Sequence, residues 1–305
     1  MLSILSFRPA RLAPTLGLAL ALIAAPILAQ DIAVVPADTG IAVIEAPDGA
    51  GTELPEGAFA LAPERQAPVN GTAMGRGRGG LIGSPPVVIE LFTSQGCSSC
   101  PAADALVAAL ADQPGVLTLS WHVDYWDYLG WSDDFARPEY TARQEAYAAV
   151  AGERGVYTPQ IIVDGHDTLL TLHRSALMAL IGEHAARPPV IMVTAAAAEG
   201  AHVIDLTPRA AIPGGVEVAL VRYLPHRTVR IRAGENRDRT VGYSNIVVGI
   251  ERLTLWSARA PLRLTVRAGD DPDNTYPDDT RHAILVQQSV EGGRPGPILA
   301  AVQLD

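Results

Sequence analysis

Lysine is absent from this 305-residue chain: all 23 basic residues are arginine, against 33 acidic ones and a formal net charge of −10. The missing lysine reflects nucleotide composition better than function. The acidic balance, with no dense basic stripe to set against it, excludes nucleic acid as a partner. Cysteine is nearly absent as well. Cys97 and Cys100 are the only two, too few for a disulfide scaffold or a four-cysteine zinc site, so any sulfur chemistry belongs to that pair. Aromatic residues make up 5% of the chain, and beyond the N-terminus no apolar run is long enough to span a bilayer. What is plentiful is apolar side chain, 48% against 18% charged. That is enough for one large core or two ordinary ones, which excludes wholesale disorder and favours two domains.

The N-terminus addresses the compartment. Arg8 and Arg11 flank the start of an uncharged apolar run, Leu12 to Leu28, that closes on Ala29. This is the pattern of a signal peptide over residues 1–29, and it predicts a periplasmic or secreted protein with no membrane span after cleavage. Ile27 is larger than the residue preferred three positions before a cut, so an uncleaved N-terminal anchor is the alternative. Residues 30–86 are rich in Pro, Gly and Ala, with Pro36, Pro47, Pro55, Pro63 and Pro68 spaced along them and a Gly/Arg run at 75–80. They read as a flexible tether.

From residue 87 to 187, strand and helix signals alternate. Val87-Val88-Ile89-Glu90-Leu91-Phe92 reads as a strand covered on both faces, and Ala102 to Leu110 as a helix ended by Pro114-Gly115. Strand signals at 116–123, 160–163 and 168–172 and helix signals at 137–151 and 175–186 complete an order β-α-β-α-β-β-α. Residues 188–305 carry eight short strand-like runs separated by Pro, Gly and Asp clusters, which suggests a β-sandwich. Within them an acidic turn at 270–274 and the arginines 222, 227, 230 and 232 read as solvated surface rather than as calcium or anion sites.

Cys97-Ser98-Ser99-Cys100 falls where the first strand feeds its helix. With that element order, the region resembles the thioredoxin fold, and the expected class is an α/β thioredoxin-like domain followed by an all-β, sandwich-like domain. The resemblance implies a thiol–disulfide oxidoreductase that needs no cofactor, with a protein thiol or disulfide as substrate and a redox partner protein. Cys97, over the unpaired N–H groups of a helix start, would be the nucleophile, its pKa lowered from about 8.5 to roughly 3.5–7, and Cys100 would resolve the mixed disulfide. A purely structural disulfide is the alternative, although a two-residue loop stabilises little through chain entropy. The resemblance also implies a cis-proline at Pro159, within Tyr157-Thr158-Pro159-Gln160, beside which substrate peptide would add as a strand. Gly96, Tyr157, Thr158 and Trp126 are the candidate substrate-binding positions around it. Glu90 is a candidate proton relay to the resolving thiol, or a structural hydrogen-bond acceptor, in a strand otherwise apolar. Three of the four tryptophans, Trp121, Trp126 and Trp131, fall within eleven residues. They either line a peptide groove or pack their loop onto the domain. His122 with the two cysteines could form a copper site, although a structural histidine is the simpler account, so no metal ligand is assigned.

Residues 90–104, His122 to Trp131, Thr141-Ala142-Arg143-Gln144, Tyr157 to Gln160, Val163-Asp164-Gly165, Gly234-Glu235-Asn236 and Gly296-Pro297-Ile298-Leu299 together resemble an exported bacterial family called domain of unknown function 1223. That resemblance implies a thioredoxin-like domain followed by a β-rich one and supplies no reaction. Two functions follow from the sequence: the oxidoreductase, and a binding module in the envelope that keeps a closed disulfide without turnover, with a copper metallochaperone behind both.

Overall fold

The computed structural model describes residues 84–271 and 273–305, together with the backbone of a strand at 41–45. The expected signal peptide over 1–29 lies outside the described residues, and so does most of the expected tether. Within that tether Ile41–Glu45, the β-branched run Ile-Ala-Val-Ile-Glu, forms strand β1 rather than linker.

The described elements run β2 (Val87–Thr93), α1 (Cys100–Ala108), β3 (Val116–His122), α2 (Pro138–Ala151), β4 (Gln160–Val163), β5 (Asp167–Thr168) and α3 (Arg174–Ala185). They continue with β6 (Ile191–Ala198), β7 (Ala201–Pro208), β8 (Val216–Arg230), β9 (Thr240–Trp256), β10 (Leu262–Val266), β11 (Arg281–Val290) and β12 (Arg294–Gln303). Pro138 opens α2 at a position where a missing N–H costs nothing, and Gly152 closes it in the left-handed region at φ 71°. The β2 and β3 segments are buried throughout, as parallel strands covered on both faces require.

These elements correct the expected fold class. There is no thioredoxin-like α/β domain followed by a separate β-sandwich, but one mixed eight-stranded sheet in the order β12-β11-β8-β9-β3-β2-β4-β5. β2 and β3 pair in parallel, β4 runs antiparallel to β2, and the junction is β9 against β3 at Ser120 and Ile246. Ser120 Oγ donates to the Ser244 carbonyl at 2.9 Å, and Asn245 Nδ2 donates to Thr118 Oγ1 at 2.9 Å. The physical reason is the edge of β3. An apolar strand with an open edge pairs with whatever extended chain reaches it, and β8 and β9 are long enough to do so. What the sequence presents as separate short runs, at 216–223, at 228–231 and from Asn245 onward, belongs to two continuous strands, 15 and 17 residues long.

Each face of the sheet is covered by different elements. Val88, Phe92, Trp121, Val221, Leu285 and Ile298 make one apolar cluster that includes Tyr140 and Tyr147 of α2, so a single helix spans strands from both ends of the chain. On the other face, Ile89 and Leu91 pack on Ala103 and Val107 of α1 and on Leu177 and Ile181 of α3. Val218, Leu220 and Ile284 on that side pack on Ile204, Leu206 and Leu264 of a second, antiparallel sheet ordered β1-β10-β7-β6. Two sequence motifs far apart in the chain meet at the turn after β4. Asp164 N donates to the Val88 carbonyl at 2.7 Å, Ile298 N donates to the Asp164 carbonyl at 2.7 Å, and Gly165 lies at φ 60°. A Cβ on Gly165 would lie 2.9 Å from the Gly296 carbonyl oxygen, so that close approach requires glycine.

Candidate functional site

β2 ends at Thr93 and α1 begins at Cys100, so the segment 94–99 turns the chain from sheet to helix at one end of the sheet. Ser94 shapes it, accepting from Gly96 N on Oγ at 3.1 Å and from Cys97 N on its carbonyl at 3.2 Å. Cys97 and Cys100 are joined as a disulfide with Cα atoms 5.4 Å apart. Cys97 is 1% exposed and Cys100 fully buried, while Ser98 and Ser99 between them are exposed. In this oxidised state solvent therefore meets the two serines and not the sulfurs. Cys97 Sγ lies 3.4 Å from Ser99 Oγ.

The Thr158–Pro159 peptide is cis. Gln160, the next residue, pairs with Phe92 across β4 and β2, which sets the proline at the same end of the sheet as the cysteines. Trp126 connects the two segments: its Nε1 donates to Thr158 Oγ1 at 2.8 Å, and its Cβ packs over Gly96, where an added Cβ would come within 3.1 Å. Tyr157 is 45% exposed beside them. Gly96, Trp126 and Thr158, which the sequence offers as separate candidates, are thus linked through Trp126 beside the cysteine loop, with Pro159 following Thr158 in the chain.

Glu90 does not join it. Successive side chains of a strand alternate faces, so Val88, Glu90 and Phe92 point to α2, while Leu91 and Thr93 point to α1. Arg143 Nε donates to Glu90 Oε1 at 2.8 Å and Tyr147 OH to Oε2 at 2.5 Å, with Arg143 Nη2 also donating to Gln287 Oε1 at 3.0 Å. Of the two roles the sequence offers Glu90, its contacts are those of a structural hydrogen-bond acceptor: the carboxylate is on the far face of the sheet from the helix that carries Cys100, and it anchors α2 to β2.

Asp104 has the placement that Glu90 lacks. It lies one helical turn after Cys100, on the same face of α1, and is 4% exposed. Its Oδ1 accepts from Thr93 Oγ1 at 2.8 Å, and its Oδ2 has no hydrogen-bond partner among the described residues. Burial pushes its pKa up from 3.8 to about 7, against the opposing charge of His122 and the hydrogen bond from Thr93, with a smaller upward push from Asp133. A carboxyl with its pKa near neutrality, one helical turn from Cys100, can take up or give back a proton there. The signal was present in the sequence, since position 104 falls on the apolar face that also carries Ala103 and Val107, where a carboxyl is out of place.

His122 and Asp133 complete a buried polar group under the loop. His122 Nδ1 is 2.7 Å from Asp133 Oδ2, which also accepts from Gln95 N at 2.9 Å. Burial lowers the affinity of His122 for a proton, but the charge and hydrogen bond of Asp133, with Asp104 adding to them, outweigh it and raise the pKa. His122 Nδ1 is thus engaged and the cysteines are bonded to each other. Among the described residues no group of three or more His, Cys, Asp or Glu is disposed to hold a metal ion. The tryptophans mostly pack: Trp121 is buried edge-on to Tyr140 at 5.2 Å, with the Arg143 guanidinium over it at 5.0 Å, and Trp131 Nε1 donates to Gln95 Oε1 at 2.7 Å. Sequence reasoning gives no role to Asp133 or to Gln95, nor to Asn236, which enters there only within the family resemblance and whose amide reaches the same loop from 139 residues downstream. No local pattern announces such a partner.

A protein of known crystal structure from Agrobacterium tumefaciens is 29% identical, with a TM-score of 0.62 over 73% of this chain and 96% of that one. HBP35 of Porphyromonas gingivalis is 14% identical, with a TM-score of 0.49 over 72% of this chain and 74% of its own. No curated protein matches. The family whose model covers residues 88–287 is described as "Protein of unknown function (DUF1223)", and this chain belongs to it.

Proposed function

We propose that the protein is an exported thiol–disulfide oxidoreductase acting on protein thiols and disulfides through Cys97 and Cys100. The observation that carries the reading is the pair's position: a disulfide closed at a strand-to-helix junction, preceded by Gly96, over which Trp126 packs while it bonds to Thr158. That local arrangement resembles the site of thioredoxin-like oxidoreductases. The apolar N-terminal run supports export to the periplasm or beyond.

In the reducing direction, the Cys97 thiolate attacks one sulfur of a substrate disulfide. A Cys97–substrate bond forms, the substrate disulfide breaks, and the departing thiolate takes a proton from solvent. Cys100 then gives its thiol proton to the Asp104 carboxylate and attacks Cys97 Sγ. The Cys97–Cys100 bond forms, the bond to substrate breaks, and the second departing thiolate takes the proton back from Asp104, so the substrate leaves as a dithiol, reduced by the two electrons the enzyme has lost. A partner dithiol restores the pair; run in reverse, the same steps oxidise a substrate dithiol.

A second reading, a non-catalytic binding module, is favoured by the burial of both sulfurs. Insulin reduction coupled to a dithiol, and alkylation of the reduced protein against pH, separate the two. The oxidoreductase predicts an apparent Cys97 pKa below the free-cysteine value of about 8.5, loss of turnover in Cys97→Ser, and a trapped mixed disulfide in Cys100→Ser. Equal activity in wild type and Cys97→Ser sinks it.

A further inference from the structure

The segment joining β8 to β9, residues 231–239, is solvent-facing at its tip: Glu235 and residues 237–240 are exposed. Asn236 alone of residues 235–240 is buried, at 1% exposure. Its Nδ2 donates to the Cys97 carbonyl at 2.7 Å and to the Gln95 carbonyl at 3.0 Å, and its Oδ1 accepts from Arg239 Nη1 at 2.8 Å. Both donors of that amide and its carbonyl oxygen are engaged. The turn is braced from behind: Ile231 N donates to the Arg239 carbonyl and Asp238 N to the Ile231 carbonyl, both at 2.9 Å, while Gly234 at φ 72° lies against Trp131. Apart from the bond it accepts from Arg239, this side chain directs its hydrogen bonds to the backbone of the cysteine loop rather than to the hairpin. Its effect falls on the loop.

We propose that Asn236 is a positioning residue for Cys97: its two donated hydrogen bonds hold the 95–97 backbone in the closed form that keeps the Cys97 sulfur buried, so that exchange with a protein requires the hairpin tip to release it. The consequence is selectivity. A partner that itself displaces the tip reaches the sulfur, whereas a passing thiol does not. This inference rests on the oxidoreductase reading for its purpose but not for its test, which uses a small reductant and no enzymatic turnover.

The experiment follows reduction of the Cys97–Cys100 disulfide in the full-length protein by a water-soluble phosphine, for wild type, Asn236→Asp, Asn236→Ala and Asn245→Ala. The last removes a buried amide elsewhere, the donor to Thr118 Oγ1, and serves as the control for general destabilisation. Loss of two hydrogen bonds that hold the closed form is expected to speed reduction about 10- to 100-fold in both Asn236 variants, while Asn245→Ala stays near the wild-type rate. Asn236→Asp adds a signature that a merely structural role would not give. Its ionised carboxylate faces two carbonyls and is expelled, but once protonated it can donate one bond again. Its rate relative to wild type therefore rises with pH through the carboxyl range, while the ratio for Asn236→Ala stays flat. Wild-type rates in both Asn236 variants, or equal acceleration in Asn245→Ala, overturns the proposal. If acceleration is found and the insulin assay nevertheless shows no turnover, the oxidoreductase reading has failed and the clamp stands.

Discussion

Asp104 carries an electrostatic cost, because one of its oxygens is buried without a partner among the described residues. A carboxyl with its pKa raised from 3.8 to about 7 holds its proton more tightly in the folded state. Its contribution to stability is complete below about pH 4 and is lost as pH rises through about 7. A tenfold change in proton affinity is worth roughly 1.4 kcal/mol, so the loss across that window is on the order of a few kcal/mol. Asp104→Asn keeps an acceptor for Thr93 Oγ1 and removes the ionisation. The variant is expected to match wild type in thermal melts near pH 4 and to exceed it at pH 8. The same change is expected to slow turnover with protein disulfides by about 100-fold or more, the scale of a lost general base, while Cys97 alkylation is unaffected. A parallel fall in both rates would assign Asp104 to packing alone.

At the scale of an element, α2 is the joint of the molecule. Arg143 reaches Glu90 of β2 and Gln287 of β11, and Gln287 Nε2 donates to Tyr147 OH at 2.6 Å, so one helix ties a central strand to one near the sheet's edge. Arg143→Met keeps much of the stem's packing and leaves Glu90 buried without its charge partner. Such a break costs about 3–5 kcal/mol, measurable as a lower urea midpoint at neutral pH. Because Glu90 faces away from α1, the pH dependence of Cys97 alkylation in this variant is expected to be that of wild type, which tests the placement directly. Helix and strand positions were largely legible in the sequence: α2 and β4 fall at the helix and strand signals of 137–151 and 160–163. Less so was the length of β8 and β9, because register and extension depend on a partner strand rather than on local pattern. β5 is shorter than its run of β-branched and apolar residues suggested. Past Thr168 one backbone bond, Leu169 N to the Ile161 carbonyl at 2.9 Å, continues toward β4 before the chain turns away, and Leu170 is left 92% exposed.

For the whole molecule, the joining of β9 to β3 decides how it folds. A fragment of residues 84–187 would expose the β3 edge and the underside of α2, both covered by residues from beyond 216. Expressed alone, it is expected to aggregate or to give the collapsed amide spectrum of an unfolded chain, while residues 39–305 give a dispersed one. A monomeric, well-dispersed spectrum from the fragment would show that the first half folds by itself. The same joining brings Asn236 onto the cysteine loop, so that part of the candidate site also depends on the second half.

The sequence by itself determined what is local: the Cys-x-x-Cys pair at a strand-to-helix turn, the proline that precedes β4, and the apolar faces that make helices and strands. Periodicity and turn chemistry act over a few residues and need no knowledge of the rest of the chain. Tertiary structure decided everything that depends on which face or edge meets which. It set Glu90 away from the cysteines and Asp104 beside them, and it merged two expected domains into one sheet. It also laid a single asparagine from 139 residues away against the backbone of Cys97. The physical reason is common to all of these. Burial and hydrogen bonding are settled between segments distant in the chain, where the sequence pattern of neither contains the other.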